Sequence, residues 1–228
     1  MSSNRATRPI PLSLTALVAL FSALAALAIT NGSAHAHGTE HAHAAPAISQ
    51  KQVALRTGMR VLWEDHIVWT RLAIISLTTG SPDTDATVGR LLQNQTDIGN
   101  AVKPFYGKAA GAELTRQLRQ HILIAADVVA AAKAGDQAKL AEASARWQRN
   151  ADTIATVLHS VNPRHFKLAV LKAEMREHLK LTTEEAVARL QGRWAADVAA
   201  YDSIHRHILH LSDYLEDGLV KQFPQRFR

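Results

Sequence analysis

Residues 55–77 read LRTGMRVLWEDHIVWTRLAIISL, and their spacing decides the fold class. Apolar side chains recur at steps of three and four: Leu55, Met59, Leu62, then Trp69, Ala73 and Leu77. That period belongs to one face of an α-helix, whereas a half-buried strand alternates every second residue. His66 occupies one place in this stripe. The same pattern recurs through the chain. One stripe is Leu114, Leu118, His121, Ala125, Val128, Ala132, and another is Leu168, Leu171, Met175, His178. The last is Trp194, Val198, Tyr201, His205, Ile208, Leu215. Two further stripes carry an amide instead: Gln95 follows Val88 and Leu91 and precedes Ile98 and Val102, and Asn150 lies beside Leu140, Trp147, Ala151, Ile154 and Leu158. The expectation is an all-α, up-down antiparallel helical bundle of four to six helices.

The breaks fit that expectation. Ser49 is placed to cap a helix that reaches Thr79. Gly80-Ser81-Pro82-Asp83 reads as a turn, with Ser81 capping and Pro82 in the first helical position. The next helix should stop near Val102, before Pro104, and residues 105–107 should connect it to a helix over 109–134. Gly135-Asp136 and Asn162-Pro163 end the following two segments. Residues 164–222 read as helical with one break. It falls either at Thr182, where Thr182 and Glu185 form a capping-box pattern, or at Gln191-Gly192, with Gly192 closing the helix.

Residues 1–36 read as a signal peptide. Arg5 and Arg8 precede an uncharged apolar run from Leu12 to Ile29, and Ala34-His35-Ala36 supplies small residues for cleavage. An uncleaved anchor is the alternative, and the signal segment is then the only contact with a membrane. Residues 37–48 form a His-rich linker, and 49–226 a single bundle domain, periplasmic or secreted. The chain has no cysteine among its 228 residues, which excludes disulfides, thiolate metal sites and cysteine nucleophiles. Lys and Arg number 26 against 20 Asp and Glu, and they are spread along the helices. A nucleic-acid partner would need a basic stripe.

The four histidines carry the functional reading. A buried imidazole left without partners costs about 1–3 kcal/mol, so several at one depth point to a shared partner. His66 and Gln95 are equally far from the first turn, and His121 and Asn150 from Gly135. His178 joins their plane only if the last break is at Gly192. The candidate metal ligands are His66, His121, His178 and His205, with Asp65, Glu174 and Asp202 as assisting carboxylates. Gln95 and Asn150 would orient them. Asp202 and His205 form an acid-x-x-His pair of the kind that dimetal bundles use twice. This chain has one such pair and is richer in imidazole, which favours zinc, copper or iron. A b-type haem between two histidines is the lesser alternative. His37, His41 and His43 form a second, separate metal-capturing tail. His207 reads as exposed or capping, together with His159, His165 and His210.

Several stretches resemble an uncharacterised family of small bacterial helical proteins, inconsistently labelled glycosyltransferase. They are Leu62-Trp63-Glu64-Asp65-His66, Arg90 to Gln95 with Asp97-Ile98-Gly99, and His121 to Ala125. His178-Leu179 with Leu181-Thr182-Thr183, Tyr201-Asp202 with His205, and Lys221 to Pro224 complete them. The resemblance spans about residues 50–226 and implies one helical domain without a mechanism. Members of that family lack the export signal and the His-rich tail. The chain carries no P-loop, dinucleotide fingerprint or Gly-x-Ser-x-Gly. The expected function is metal binding for storage, delivery or redox chemistry. The alternatives are a metal-free binding or stress-related protein acting through its surface, and a metal-dependent enzyme of unknown substrate.

Overall fold

A computed structural model describes residues 48–228. The expected signal peptide and His37, His41 and His43 lie outside these residues. Among the described residues there is no strand, and no helix is long and apolar enough to cross a membrane.

The chain forms α1 (Gln50–Thr79), α2 (Thr84–Ala134), α3 (Gln137–Val161), α4 (Leu168–Leu190) and α5 (Trp194–Gln222), then a short 3-10 turn, Pro224–Arg226. Helix α2 is two arms folded back on each other at Gly107, so six helical rods alternate in direction. The expected stop before Pro104 is not observed. The first arm runs past Pro104, and the chain reverses at Gly107, where φ is 86° and ψ 169°. Only glycine adopts that backbone readily. The arms then pack closely. A Cβ on Gly99 would meet the Gly111 carbonyl at 2.7 Å, and one on Gly111 would meet the Gly99 carbonyl at 2.6 Å.

Other boundaries follow local chemistry. The Ser49 hydroxyl accepts from the Gln52 amide. The second helix begins at Thr84, later than expected from Ser81 and Pro82, because Ser81-Pro82-Asp83 is used in the turn. Asp83 there accepts a 2.6 Å hydrogen bond from Ser76. Asp136 caps α3 by accepting from the Lys139 amide. The last break is at Gly192, with φ 68°. Thr182 lies inside α4, its hydroxyl donating to the His178 carbonyl at 2.8 Å.

Neighbours in sequence are neighbours in space, and α5 closes the ring against α1. That seam is laced by the ion pairs Arg56–Glu216, Arg60–Asp213 and Arg71–Asp197 and by the contact of His205 with Glu64. Arg71 also holds Glu185 at 2.7 Å. Burial pushes the Glu185 carboxyl up to about 7, against the opposing pull of Arg71. The core is a column of Ile, Leu, Met and Trp side chains along the bundle axis. The turns at Gly80, Gly135 and Gly192 share one end. Gly107, Phe166 and Phe223 mark the other, where Phe105, Tyr106, Phe223 and Phe227 cluster.

Candidate functional site: a buried imidazole layer

Midway along the bundle the apolar column is interrupted by a polar layer. His66, His121 and His178, from α1, the second arm of α2 and α4, are each 5% exposed or less. His178 stands between the other two, its ring centroid 5.8 Å from that of His66 and 6.1 Å from that of His121. Gln95, Asn94 and Asn150 are buried around them. The layer thus contains three of the four expected imidazoles and both expected amides.

His205 is not in it. It lies on the flank of α5 that meets α1, its side chain 36% exposed and its Nε2 3.0 Å from Glu64. The reason is helical phase. The buried face of α5 is set by Ile204, Ile208, Leu211 and Leu215, and at about 100° per residue His205 and His207 fall on opposite flanks of it. His207 is the imidazole that turns to α4, its ring 6.1 Å from that of His178 and within 17° of parallel. Its reading as exposed or capping is therefore corrected. The assisting carboxylates also change place. Asp65 pairs with Arg90 at 3.0 Å, and Asp202 is exposed. Glu174 faces His207 and His210 at 3.6 and 3.7 Å.

The hydrogen bonds fix the ring proton of His121. The Asn150 amide group donates to Gln117 Oε1 at 3.1 Å and to the Gln117 carbonyl at 3.2 Å. Its Oδ1 must then accept from His121 Nδ1, at 2.8 Å. His121 carries its proton on Nδ1, and its Nε2 presents a buried lone pair with no partner. The chain continues outward, since Gln117 Nε2 donates to Glu113 Oε1 at 2.9 Å. Arg116 and then Gln117 hold the Glu113 carboxyl down at about 2. An ionised carboxylate at the surface thus terminates a one-directional relay that ends on His121. Such a relay increases the basicity of the inward nitrogen. Glu113 and Gln117 were not singled out in the sequence, although 113, 117 and 121 are spaced by fours on one helical face.

The Gln95 amide group donates to the Leu91 carbonyl at 2.8 Å and to Asn94 Oδ1 at 3.0 Å, and it faces His66 Nδ1 at 3.2 Å. With two N–H groups for three neighbours, the Gln95 amide leaves His66 able to carry its ring proton on either nitrogen. Turning the Gln95 amide over would place its oxygen against two acceptors. Gln95 Oε1 and His178 Nδ1 have no partner. Burial lowers His66 to about 3, helped by His121 and opposed by Asn94 and Gln95. Burial lowers His121 to about 4 against Asn150. Burial, then His66, His121 and His207, holds His178 well below its usual range. All three imidazoles are neutral near pH 7, the form that binds metals.

The layer borders a cavity of about 50 Å³ lined otherwise by apolar side chains, including Met175, Leu118 and Ile208. That volume exceeds the ~10–15 Å³ one water requires. Among the described residues, no three His, Asp or Glu side chains converge as placed on one point where an ion would sit. Compared with family models, curated proteins and solved structures, the chain matches none.

Proposed function

We propose that the imidazole layer binds a transition-metal ion through His66, His121 and His178, and that the protein stores or delivers that ion. The observation that carries this reading is the His121 lone pair. It is buried, it has no partner, a relay running from Glu113 places the ring proton on Nδ1, and burial keeps Nε2 unprotonated. A metal ion satisfies such an atom, and a ligating histidine characteristically donates its other ring nitrogen to an oriented acceptor. The His178 Nδ1 is a second nitrogen without a partner. Two imidazoles on one ion at ~2.0–2.1 Å have ring centroids on the order of 5–6 Å apart. The separations of 5.8 and 6.1 Å from His178 lie near that range, and a shared ion would require the rings to turn from their present positions, where they do not converge. An all-nitrogen set selects zinc, copper or iron over magnesium or calcium. Haem fits less well, because the space against the imidazoles is about 50 Å³.

The test is metal analysis by mass spectrometry of the untagged protein with His37, His41 and His43 replaced by alanine, so that the tail is silent. The expected result is about one equivalent of one transition metal, lost in a His121→Ala, His178→Ala variant. No bound metal after reconstitution with zinc, copper and iron contradicts the proposal. A second reading is favoured by the unconverged nitrogens: the layer holds a small uncharged molecule by hydrogen bonds. It predicts the metal-free result.

A further inference from the structure

A second cavity lies on the other side of the layer, toward the turns at Gly80, Gly135 and Gly192. Its volume is about 210 Å³, and it is lined by α1, both arms of α2, α3 and α4. We infer that this cavity is a binding site for a small uncharged apolar molecule, of roughly the size of a substituted benzene.

The lining itself argues for this. It contains no charged side chain, and its polar groups are the hydroxyls of Thr70, Ser144, Thr182 and Thr183 and the unpaired indole N–H of Trp147. Three of the four hydroxyls are already committed, which leaves Ser144 and the Trp147 N–H. Thr70 donates to the His66 carbonyl at 2.7 Å, Thr182 to the His178 carbonyl and Thr183 to the Leu179 carbonyl, both at 2.8 Å. A buried water needs two to four polar partners, and apolar cavities of about 150 Å³ stay dry and take up benzene. Space of this size in a core otherwise packed at crystal density leaves dispersion contacts unmade on every wall. The space exists because alanines stand where larger side chains would fill it, among them Ala73, Ala125, Ala126 and Ala186. Leu77, Leu140 and Leu190 on the lining are partly exposed, which gives a route in from that end of the bundle. Trp147 forms part of the wall and packs on His121, with ring centroids 5.3 Å apart. An occupant therefore sits one side chain away from the imidazole layer.

The site does not depend on a metal, and its test is run with chelator present. Toluene is titrated into the full chain, with benzoate as the charged analogue of similar size. Binding is read by calorimetry and by thermal unfolding. Toluene at ten times its dissociation constant should raise the unfolding temperature by roughly 3–6 °C, and benzoate should leave it unchanged. Ala126→Leu, which fills the cavity, should weaken toluene at least tenfold. Ser144→Leu repeats the filling from α3, and circular dichroism verifies that each variant is folded. Ala110→Leu, on the wall of the other cavity, should keep wild-type affinity within about twofold. Failure of the wild type to bind toluene overturns the inference. So does equal binding by both filled variants, or equal binding of benzoate.

Discussion

Replacing His178 with leucine should stabilise the metal-free protein and destabilise the metal-loaded one. His178 is 5% exposed and its Nδ1 makes no hydrogen bond. An unsatisfied buried polar group costs about 1–3 kcal/mol. Leucine removes that atom and offers apolar contact to Leu171, Met175, Ile208 and Leu211, which share its cavity wall. The change of shape returns up to about 1.5 kcal/mol as strain. The net change then runs from a loss of about 0.5 to a gain of about 3 kcal/mol, centred on a gain of about 1 kcal/mol, against a typical loss of about 1 kcal/mol for an arbitrary substitution. At 2–4 °C per kcal/mol for a chain of this size, that central gain raises the unfolding temperature by roughly 2–4 °C. The assay is urea unfolding followed by helical circular dichroism, first with chelator. Repeating it with zinc at a hundred times the dissociation constant should add about 2.7 kcal/mol to the wild type. His178→Leu should gain far less, so the order of stabilities reverses. A variant more than about 1 kcal/mol less stable in chelator would refute the packing argument. The absence of any reversal with zinc, and equally with copper and iron, would refute the metal argument.

Acid should unfold the metal-free protein steeply. The folded pKa values of His66 and His121 are lowered to about 3 and about 4, and that of His178 is also lowered, whereas an unfolded imidazole titrates near 6.5. Below 6.5 the unfolded chain binds more protons, so stability is full above that pH and falls as pH falls toward 4. Each imidazole contributes about 1.4 kcal/mol per pH unit and the three together about 4, from which the raised Glu185 carboxyl, protonated first in the folded state, takes back about 1.4 between pH 7 and 4.5. A slope under about 1 kcal/mol per unit between pH 6 and 5 would show that they are not buried and neutral. Asn150→Ala leaves the His121 Nδ1–H and Gln117 Oε1 without their partner, and should cost about 2–4 kcal/mol in urea unfolding. Nitrogen NMR should show the His121 ring losing its single tautomer. Gly99→Ala puts a methyl against the Gly111 carbonyl and Thr115 Oγ1, and should cost about 1–3 kcal/mol or more, read from the urea midpoint at unchanged slope.

The periodicity of residues 55–77 and of the later stripes carried the helical bundle, because every rod buries one face against the same axis. The heights of His66, His121, Gln95 and Asn150 were also legible, since residues equally far from a tight turn meet across an antiparallel pair. Once Gly192 is the break, the same count brings in His178. What was not legible is phase at the edge of a stripe. His205 and His207 flank one buried face, and a step of four from Tyr201 selects the flank that meets α1. The fold-back at Gly107 was displaced from Pro104 because proline bends a helix without requiring it to end, whereas the backbone at Gly107 requires glycine. The relay from Glu113 through Gln117 and Asn150 crosses from α2 to α3, and only the packed pair reveals it.

Nitrogen NMR of the imidazoles during a zinc titration, on the protein whose tail histidines are replaced by alanine, decides whether the layer takes up a metal ion. His121 Nε2 and His178 Nδ1 should shift together and saturate at one equivalent, while His205 does not move. Unchanged His121 and His178 resonances at several equivalents of zinc, copper(I) and iron(II) would contradict metal uptake by the layer.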